Sequence, residues 1–545
     1  MTLFEQILTA RGLTTRAARQ AFLQPDYMAV KHDPFLLPDM KKAVARLKQA
    51  REQGEKIVIY GDYDIDGLSA TALLLDAFGK FGFEDVDAFI PNRFVEGYGM
   101  TMGAVDKVRD MGADLIVTVD TGSLCHAEIA YAASLGIDTV VTDHHNVAET
   151  PPPSVAAVNP KFSGHTYPFR DLCGAGVAFK LVQALQTELD GLPDGYEKWL
   201  LDLVALGTVC DIVTLVDENR ANVYWGLEVL KKQQRPGLKA LMAVAGVEPD
   251  QVNARHLGFG LGPRMNAAGR LETAQHALDM LTARDGLAAL EASEKLEELN
   301  GKRRGIQDAI FEEACVQAEE LADDRVLVVS SDGWNHGVIG IVASKLVEKY
   351  KKPVFIIGER GEEATGSARS FGDFSAADAV RAADDIIIKG GGHGAAAGVT
   401  LATGKIGDFR QRVNEFYDSL QLTNQERYLL PRADVEIDDF SEITEELIEN
   451  LAKMEPFGNG NPEPVLKITR ASVLSMRRMG ADGQHVKLAL RDKNGKVLQM
   501  LAFNAPEEFF REPGDEVAAW FQSTVNEWQG VRTVEGRLLH ILLLD

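Results

Sequence analysis

Positive charge is in deficit in this chain: 57 lysines and arginines face 81 aspartates and glutamates, a formal net charge of −24. Bulk electrostatics of that sign argue against a protein that coats duplex DNA. A local basic channel stays open, and bound metal would cancel part of the charge. Cysteine is scarce as well. Cys125, Cys173, Cys210 and Cys315 are scattered and form no C-x-x-C pair, which fits reduced thiols in a cytoplasmic protein rather than a disulfide framework. No apolar run approaches the roughly 18 residues needed to span a bilayer, so no membrane association is expected. The stretch from Met1 to Phe22 has no secretory apolar core, because Glu5 breaks it, and reads as a short amphipathic helix. There is no internal repeat and no low-complexity tract.

What remains is an ordinary soluble composition, 45% hydrophobic and 25% charged over 545 residues, enough for about three domains at roughly 150 residues each. From Lys56 to about Leu215, strand-like runs (56–60, 86–90, 115–119, 139–142 and 156–158) alternate with helical spacing at 69–81, 101–111 and 127–135. That alternation predicts an α/β domain with a mostly parallel sheet, where ligands bind outside the carboxyl ends of the strands. Residues 285–323 are rich in Ala, Leu, Glu, Lys and Gln without proline. They read as a long helix joining two lobes, interrupted near Gly301 and Gly305. A second α/β pattern follows, with Gly-rich segments at 366–370 and 390–398 that read as loops. After a turn-rich joint at 456–464, five short strands within roughly 100 residues suggest a small β-barrel of the OB type. The expected division is a helical segment at 1–50, an α/β domain at 51–284, the connecting helix at 285–323, a second α/β lobe at 324–430 and the barrel at 431–545.

Chemistry concentrates at Asp62, Asp64 and Asp66, directly after the apolar run Ile57 to Tyr60. Three carboxylates within five residues repel one another, and a divalent cation is the usual remedy. Strand alternation would turn all three to one side. Asp120 ends a second apolar strand, Asp143-His144-His145 a third, and Asp211 an apolar helical run. One such aspartate alone is ordinarily a helix cap. Four such sites converging at the end of one sheet read as a metal centre, and a mixed carboxylate and imidazole set suits Mn²⁺, with Mg²⁺ as the alternative.

The motifs GDYDIDG (61–67), VDTG (119–122), DHHN (143–146) and GTVCDIV (207–213) resemble, in order, those of the DHH phosphoesterase superfamily. NHGVIGIVASKL (335–346), GSARS (366–370) and GGHGAAAG (391–398) resemble its DHHA1 partner domain. GPRMNAAGRL (262–271) and PFGNGNPEP (456–464) are similar to the RecJ family of single-strand-specific exonucleases within it. The resemblance runs from Phe22 onward. Cys210 departs from the usual small residue, Ile388-Lys389 stand where an aromatic is common, and the second motif is slightly altered, but no candidate ligand is lost.

The resemblance implies two metal ions held by Asp62, Asp64, Asp66, Asp120, His144 and Asp211. Asp120 would bridge them, Asp64 and Asp66 would be the firmer ligands, and Asp62 would ligate directly or support a ligand. His145 would orient the site or touch the phosphate, and Asp143 would fix an imidazole tautomer. His393 would donate to the scissile phosphate. Substrate contacts would come from Ser367, Arg369, Gly391, Gly392, His336, Arg93, Arg264 and Arg270, although Arg93, Arg264 and Arg270, each taken alone, would serve a structural salt bridge nearly as well. The implied activity is 5′→3′ hydrolysis of single-stranded DNA to 5′-mononucleotides in recombination and mismatch repair. The protein would be monomeric, with a single-strand-binding protein and a helicase nearby. The alternatives are a phosphoesterase of short oligonucleotides and a non-catalytic replication scaffold. Within the barrel, residues 467–496 carry eight Lys/Arg against Asp482 and Asp492, a local +6, which predicts a basic groove with Phe503, Trp520 or Trp528 as stacking surfaces.

Overall fold

The computed structural model describes residues 1–544 except Tyr98 and Asn424, and all but the side chain of Glu426. The chain divides into two compact units. One comprises Met1–Gly269, Ala274–Glu294 and Pro431–Asp545, and the other Arg270–Thr273 and Lys295–Leu430.

In the first unit, strands β1 (Ile57–Gly61), β2 (Val86–Phe89), β3 (Leu115–Val119), β4 (Asp138–Thr142) and β5 (Ala156–Val158) form an all-parallel sheet in the order β2-β1-β3-β4-β5. Both faces of β1 and β3 are buried, which is why these strands are continuously apolar in sequence rather than alternating. The helices Ile65–Phe81, Gly174–Leu185 and Leu201–Cys210 pack on one another. The helix Gly174–Leu185 is buried along its whole length.

The same unit carries the barrel: β11 (Val435–Ile437), β12 (Leu466–Met479), β13 (His485–Arg491), β14 (Val497–Ala502), β15 (Glu516–Trp528) and β16 (Val531–Leu543). The order is β11-β12-β13-β14-β16-β15, and pairing of β12 with β15 closes it. The N-terminal stretch is two helices rather than one, Leu3–Ala10 and Arg16–Leu23. Gly12 at φ +80° turns the chain and Thr15 caps the second helix. Leu3, Ile7 and Leu8 enter the barrel's hydrophobic core beside Phe440, Leu466 and Phe521. Arg11 ties the pair to Asp434 at 2.7 Å.

The second unit has a five-stranded sheet of β6 (Leu327–Asp332), β7 (Val354–Arg360), β8 (Glu363–Arg369), β9 (Ile387–Gly392) and β10 (Ala396–Ala402) in the order β6-β7-β8-β10-β9. Only β6 and β7 are parallel. The Gly-rich segments expected as loops lie mostly on strands: 366–369 on β8, and 390–398 on the end of β9, a three-residue turn and the start of β10. Gly366 lies against Ile357 and Val399, where a Cβ would come within 3.0 Å, so glycine here serves close packing. The helix joining the units, Gly286–Glu320, runs 35 residues without the expected break. Gly301 and Gly305 sit on its exposed face with open space around them, and their weak propensity is outvoted by the strong helix formers on either side. No described helix is long and apolar enough to cross a membrane.

Candidate metal centre

Each segment reaches the sheet's carboxyl edge by a different local device. Asp62 follows β1 directly and is buried, its Oδ1 accepting from Tyr63 N at 2.7 Å. Asp64 caps the helix Ile65–Phe81 by accepting from Asp66 N and Gly67 N at 2.9 and 3.1 Å. Asp66 lies in that helix's first turn. The three therefore do not line one side of a strand as expected, because the helix begins at Ile65 and rotates Asp66 away from Asp62. Gly67 makes the turn possible: a Cβ there would meet the Asp62 carbonyl oxygen at 2.5 Å.

The Asp66 carboxylate accepts from Gly174 N and Ala175 N, the latter at 2.8 Å, at the start of the helix Gly174–Leu185, where the helix dipole favours an anion. Asp120 follows β3 at φ +61°, a conformation unfavourable for a residue with a Cβ. Asp143 follows β4 and accepts from Ser123 N, His144 N and His145 N, and from His145 Nδ1 at 2.9 Å. Asp211 closes the helix Leu201–Cys210.

His144 Nε2 lies 3.0 Å from Asp120 Oδ1, 3.6 Å from Asp211 Oδ2 and 3.7 Å from Asp66 Oδ2. Potential ligand atoms gather within 4.8 Å of one another in three sets: Asp62, Asp64 and Asp120; Asp120, His144 and His145; and Asp66, His144 and Asp211. Asp120 belongs to two of them. Both Asp120 carboxylate oxygens and His144 Nε2 are buried without a hydrogen-bond partner, the close Asp120–His144 approach being misaligned for one. Buried polar atoms are ordinarily paired, so these three fit a divalent cation accepting their lone pairs.

The electrostatics agree. Burial first, and the Asp64 charge second, raise the Asp62 and Asp66 carboxyls above the ordinary range. Burial followed by Asp66, Asp64 and Asp62 raises Asp120, and burial with Asp66 raises Asp211. Such a cluster is poorly ionised alone, and a cation removes the conflict. Burial, helped by His145, lowers His144 to about 4, keeping it the neutral imidazole that a metal requires. Burial would also lower His145, but the hydrogen bond and charge of Asp143 outweigh it and raise it to about 9. Asp143 is held below the ordinary range, its burial outweighed by His145.

Family models match across these same elements: "DHH family, N-terminal domain" over residues 56–208, "DHHA1 domain" over 323–419 and "RecJ OB domain" over 433–540. A single-stranded-DNA-specific exonuclease RecJ of Dickeya dadantii is 35% identical over 93% of this chain and 91% of its own length. The chain belongs to the RecJ family. The RecJ of Bacillus subtilis is 39% identical over 96% of this chain, which spans 66% of that protein. The crystal structure of RecJ in complex with Mn²⁺ from Thermus thermophilus superposes with a TM-score of 0.84 at 30% identity, covering 99% of this chain and 76% of that one.

Beyond the candidate ligands, this RecJ-family chain places one expected substrate residue, Arg93, beside the centre. The Arg93 guanidinium lies 4.5 Å over the Tyr63 ring and donates to its hydroxyl, beside Asp62. Arg264 donates to Gly260 O at 2.6 Å. In the second unit, Arg270 donates to Gly337 O at 2.9 Å and His336 Nε2 meets Gly358 O at 3.2 Å. Ser367 and Arg369 are on strand β8 rather than in a loop, and Arg369 donates to Ser367 Oγ at 3.2 Å and to Ala368 O. A Cβ on Gly340, at the start of the helix Ile339–Tyr350, would lie 3.0 Å from Ser367 Oγ and 3.4 Å from Arg369 Nη2. Gly391 and Gly392 end β9, and His393 opens the tight turn into β10, its N–H bonded to Ala396 O.

Two expectations fail in the barrel. Trp520 is buried against His540 and under Lys467, so it offers no stacking face, whereas Phe503 and Trp528 are exposed. The basic run is largely neutralised by nearby carboxylates: Lys467 pairs with Glu436, Arg470 with Glu516, Arg478 with Glu507, Lys487 with Glu535 and Lys493 with Asp438. Lys496 binds three carbonyls. Among the described residues, Arg477 and Arg491 make no ion pair.

Sequence reasoning missed the Gly174-Ala175 amides and the reason for Gly174, whose Cβ would lie 2.6 Å from Asp120 Cβ. The signal was there: Cys173-Gly174-Ala175-Gly176 opens an apolar helix.

Proposed function

We propose that this chain is a single-stranded-DNA-specific exonuclease that degrades its substrate 5′→3′ by metal-dependent phosphodiester hydrolysis, releasing 5′-mononucleotides in DNA recombination and repair. The observation that carries this reading is the orphaned Asp120 carboxylate, shared by two ligand sets in a chain of the RecJ family. Two bound Mn²⁺ or Mg²⁺ ions would supply the charge that activates water and stabilises the leaving oxygen. Asp62, Asp64, Asp66, Asp120, His144 and Asp211 would hold them, with Asp120, common to two of the ligand sets, as the shared carboxylate.

The other residues bind and orient. Asp143 accepts the Nδ1 proton of His145, which fixes that ring and turns Nε2 away from Asp143 toward substrate phosphate. Arg93, fixed on Tyr63, balances charge beside Asp62. In the second unit, Arg369 has no carboxylate partner among the described residues, and the helix Ile339–Tyr350 starts without a side-chain cap. Arg369 and Ser367, facing Gly340 in the first turn of that helix, make a phosphate cradle. His336, Arg264, Arg270, Gly391, Gly392 and His393 complete the substrate contacts. Residues 51–284 carry the chemistry, 324–430 the phosphate contacts, 285–323 the connection and 431–545 the grip on the strand, with 1–50 as the helical segment. The protein works as a cytoplasmic monomer, supplied with single strands by a helicase and a single-strand-binding protein.

Competition between a long 5′-phosphorylated single strand and a dinucleotide, with Mn²⁺ and with Mg²⁺, tests this. Preferential turnover of the long strand is expected. Preference for the dinucleotide would assign the chain to short oligonucleotides, and no turnover with either metal would make it a scaffold.

A further inference from the structure

Asp211 ends the helix Leu201–Cys210, and the backbone behind it leaves regular structure at once. The next residue, Ile212, has φ +60° and is 69% exposed. A β-branched residue does not hold that conformation unaided, and the chain does not regain a helix until Asp217. Two nearby side chains brace the far end of this loop. Asp171 accepts from Thr214 N and from the Thr214 hydroxyl. Asn219 donates to Asp171 O and to Thr214 O. Neither reaches Ile212.

Asn459, in the turn that leads into the barrel, does. Its Nδ2 donates to Ile212 O at 2.8 Å, and its own carbonyl accepts from Leu215 N at 2.7 Å. It therefore grips both ends of the segment that follows Asp211. The adjoining glycines suit that seating. A Cβ on Gly458 would lie 2.7 Å from Leu215 Cδ1, and one on Gly460, at φ +75°, 3.2 Å from Thr214 Cβ.

A clamp works only if it is anchored. Asn461 is buried, and its Nδ2 donates to Met454 O and Pro456 O while its Oδ1 accepts from Arg11. Arg220 is buried too, stacked 3.8 Å over the Phe22 ring and donating to the carbonyls of Phe22, Glu455 and Pro456. The two asparagines of the Gly-Asn-Gly-Asn turn thus differ in purpose. Asn461 closes the turn on itself, and Asn459 turns outward to the loop behind Asp211.

We infer that Asn459 is a positioning residue for the metal centre: by fixing the Ile212 carbonyl it sets the direction of the Asp211 carboxylate and so the affinity for one of the two divalent ions. This rests on the proposed metal-dependent reading. It also gives the barrel, through its leading turn, a physical hold on the chemistry.

The test is Mn²⁺ binding to the full chain without DNA, followed by paramagnetic resonance of the free ion, with metal-free melting measured alongside. Asn459→Ala removes the side chain, and Asn459→Asp keeps its size but not its donor. Asp211→Asn marks which binding event belongs to Asp211. Both Asn459 variants are expected to weaken that event about 10-fold and to leave the other event and the metal-free melting temperature at parent values. In turnover, more Mn²⁺ should be needed for half-maximal rate, with kcat at saturating metal and KM for the strand retained. Parent-like Mn²⁺ binding in both variants overturns the inference, as does a loss of both events together with a lower melting temperature. A parent chain that binds no Mn²⁺ overturns the metal-centre reading itself, and the inference with it.

Discussion

At the scale of single residues the account turns on Asp120 and its neighbours. Asp120→Ala should abolish cleavage, by at least about 10³-fold if removal of a shared ligand resembles the loss of other transition-state charge stabilisation, while affinity for a single strand stays near the parent value. Retained turnover in that variant would refute the shared-ligand role. Gly174→Ala asks a narrower question. Its methyl would lie 2.6 Å from Asp120 Cβ and 2.7 Å from Asp120 Oδ1, so a single carbon should displace the carboxylate and cost at least tenfold in kcat/KM, read at saturating Mn²⁺. The candidate ligands were legible in the sequence because Asp62, Asp120 and His144 follow apolar strands, Asp211 ends an apolar helix, and Asp64 and Asp66 stand with Asp62 in one conspicuous acidic cluster. Gly174 was not, because its constraint comes from a contact with Asp120, far away along the chain. The expected alignment of Asp62, Asp64 and Asp66 on one side of a strand failed for a local reason, the helix starting between Asp64 and Asp66.

At the scale of elements, the long helix and the barrel strands carry the tests. Gly301 and Gly305 are exposed mid-helix glycines with open surroundings, so alanine at each should stabilise the helix by about 0.5–1 kcal/mol. Amide exchange through 297–309 should slow accordingly, and faster exchange would mean that the helix breaks there. Trp520→Ala should cost about 3–5 kcal/mol of stability as a buried aromatic truncation. Trp528→Ala should leave unfolding unchanged and weaken binding of single strands, since that ring is 72% exposed. The reverse pattern would exchange their roles. The parallel sheet and the barrel were readable from periodicity, and the long helix from its composition. The strand character of residues 363–369 and 387–392 was not, because glycine signals a turn locally and only the packing of Gly366 against Ile357 and Val399 shows that it serves a sheet.

At the scale of the whole molecule, the basic run shows why charge counted along a sequence misleads. Its surplus is met by Glu436, Glu516, Glu507, Glu535 and Asp438, most of them contributed by other strands. The double replacement Arg477→Ala with Arg491→Ala should therefore flatten the dependence of log affinity on log salt by about 1.4, at roughly 0.7 per phosphate contact on a single strand, whereas a paired lysine such as Lys467→Ala should change it little. The N-terminal helices and the 456–464 turn also bind the barrel into the first unit. Cutting the chain at 430 would bare Leu3, Ile7 and Leu8 and release the loop behind Asp211, so it removes more than a DNA grip.

The most direct test of the central claim is a time course on single strands labelled at the 5′ or the 3′ end, with Mn²⁺ and with Mg²⁺. The account predicts that 5′ label appears at once as a mononucleotide, while 3′-labelled strands shorten progressively and duplexes of the same sequence persist. Immediate release of the 3′ label, internal cuts, or equal attack on duplex DNA would contradict it.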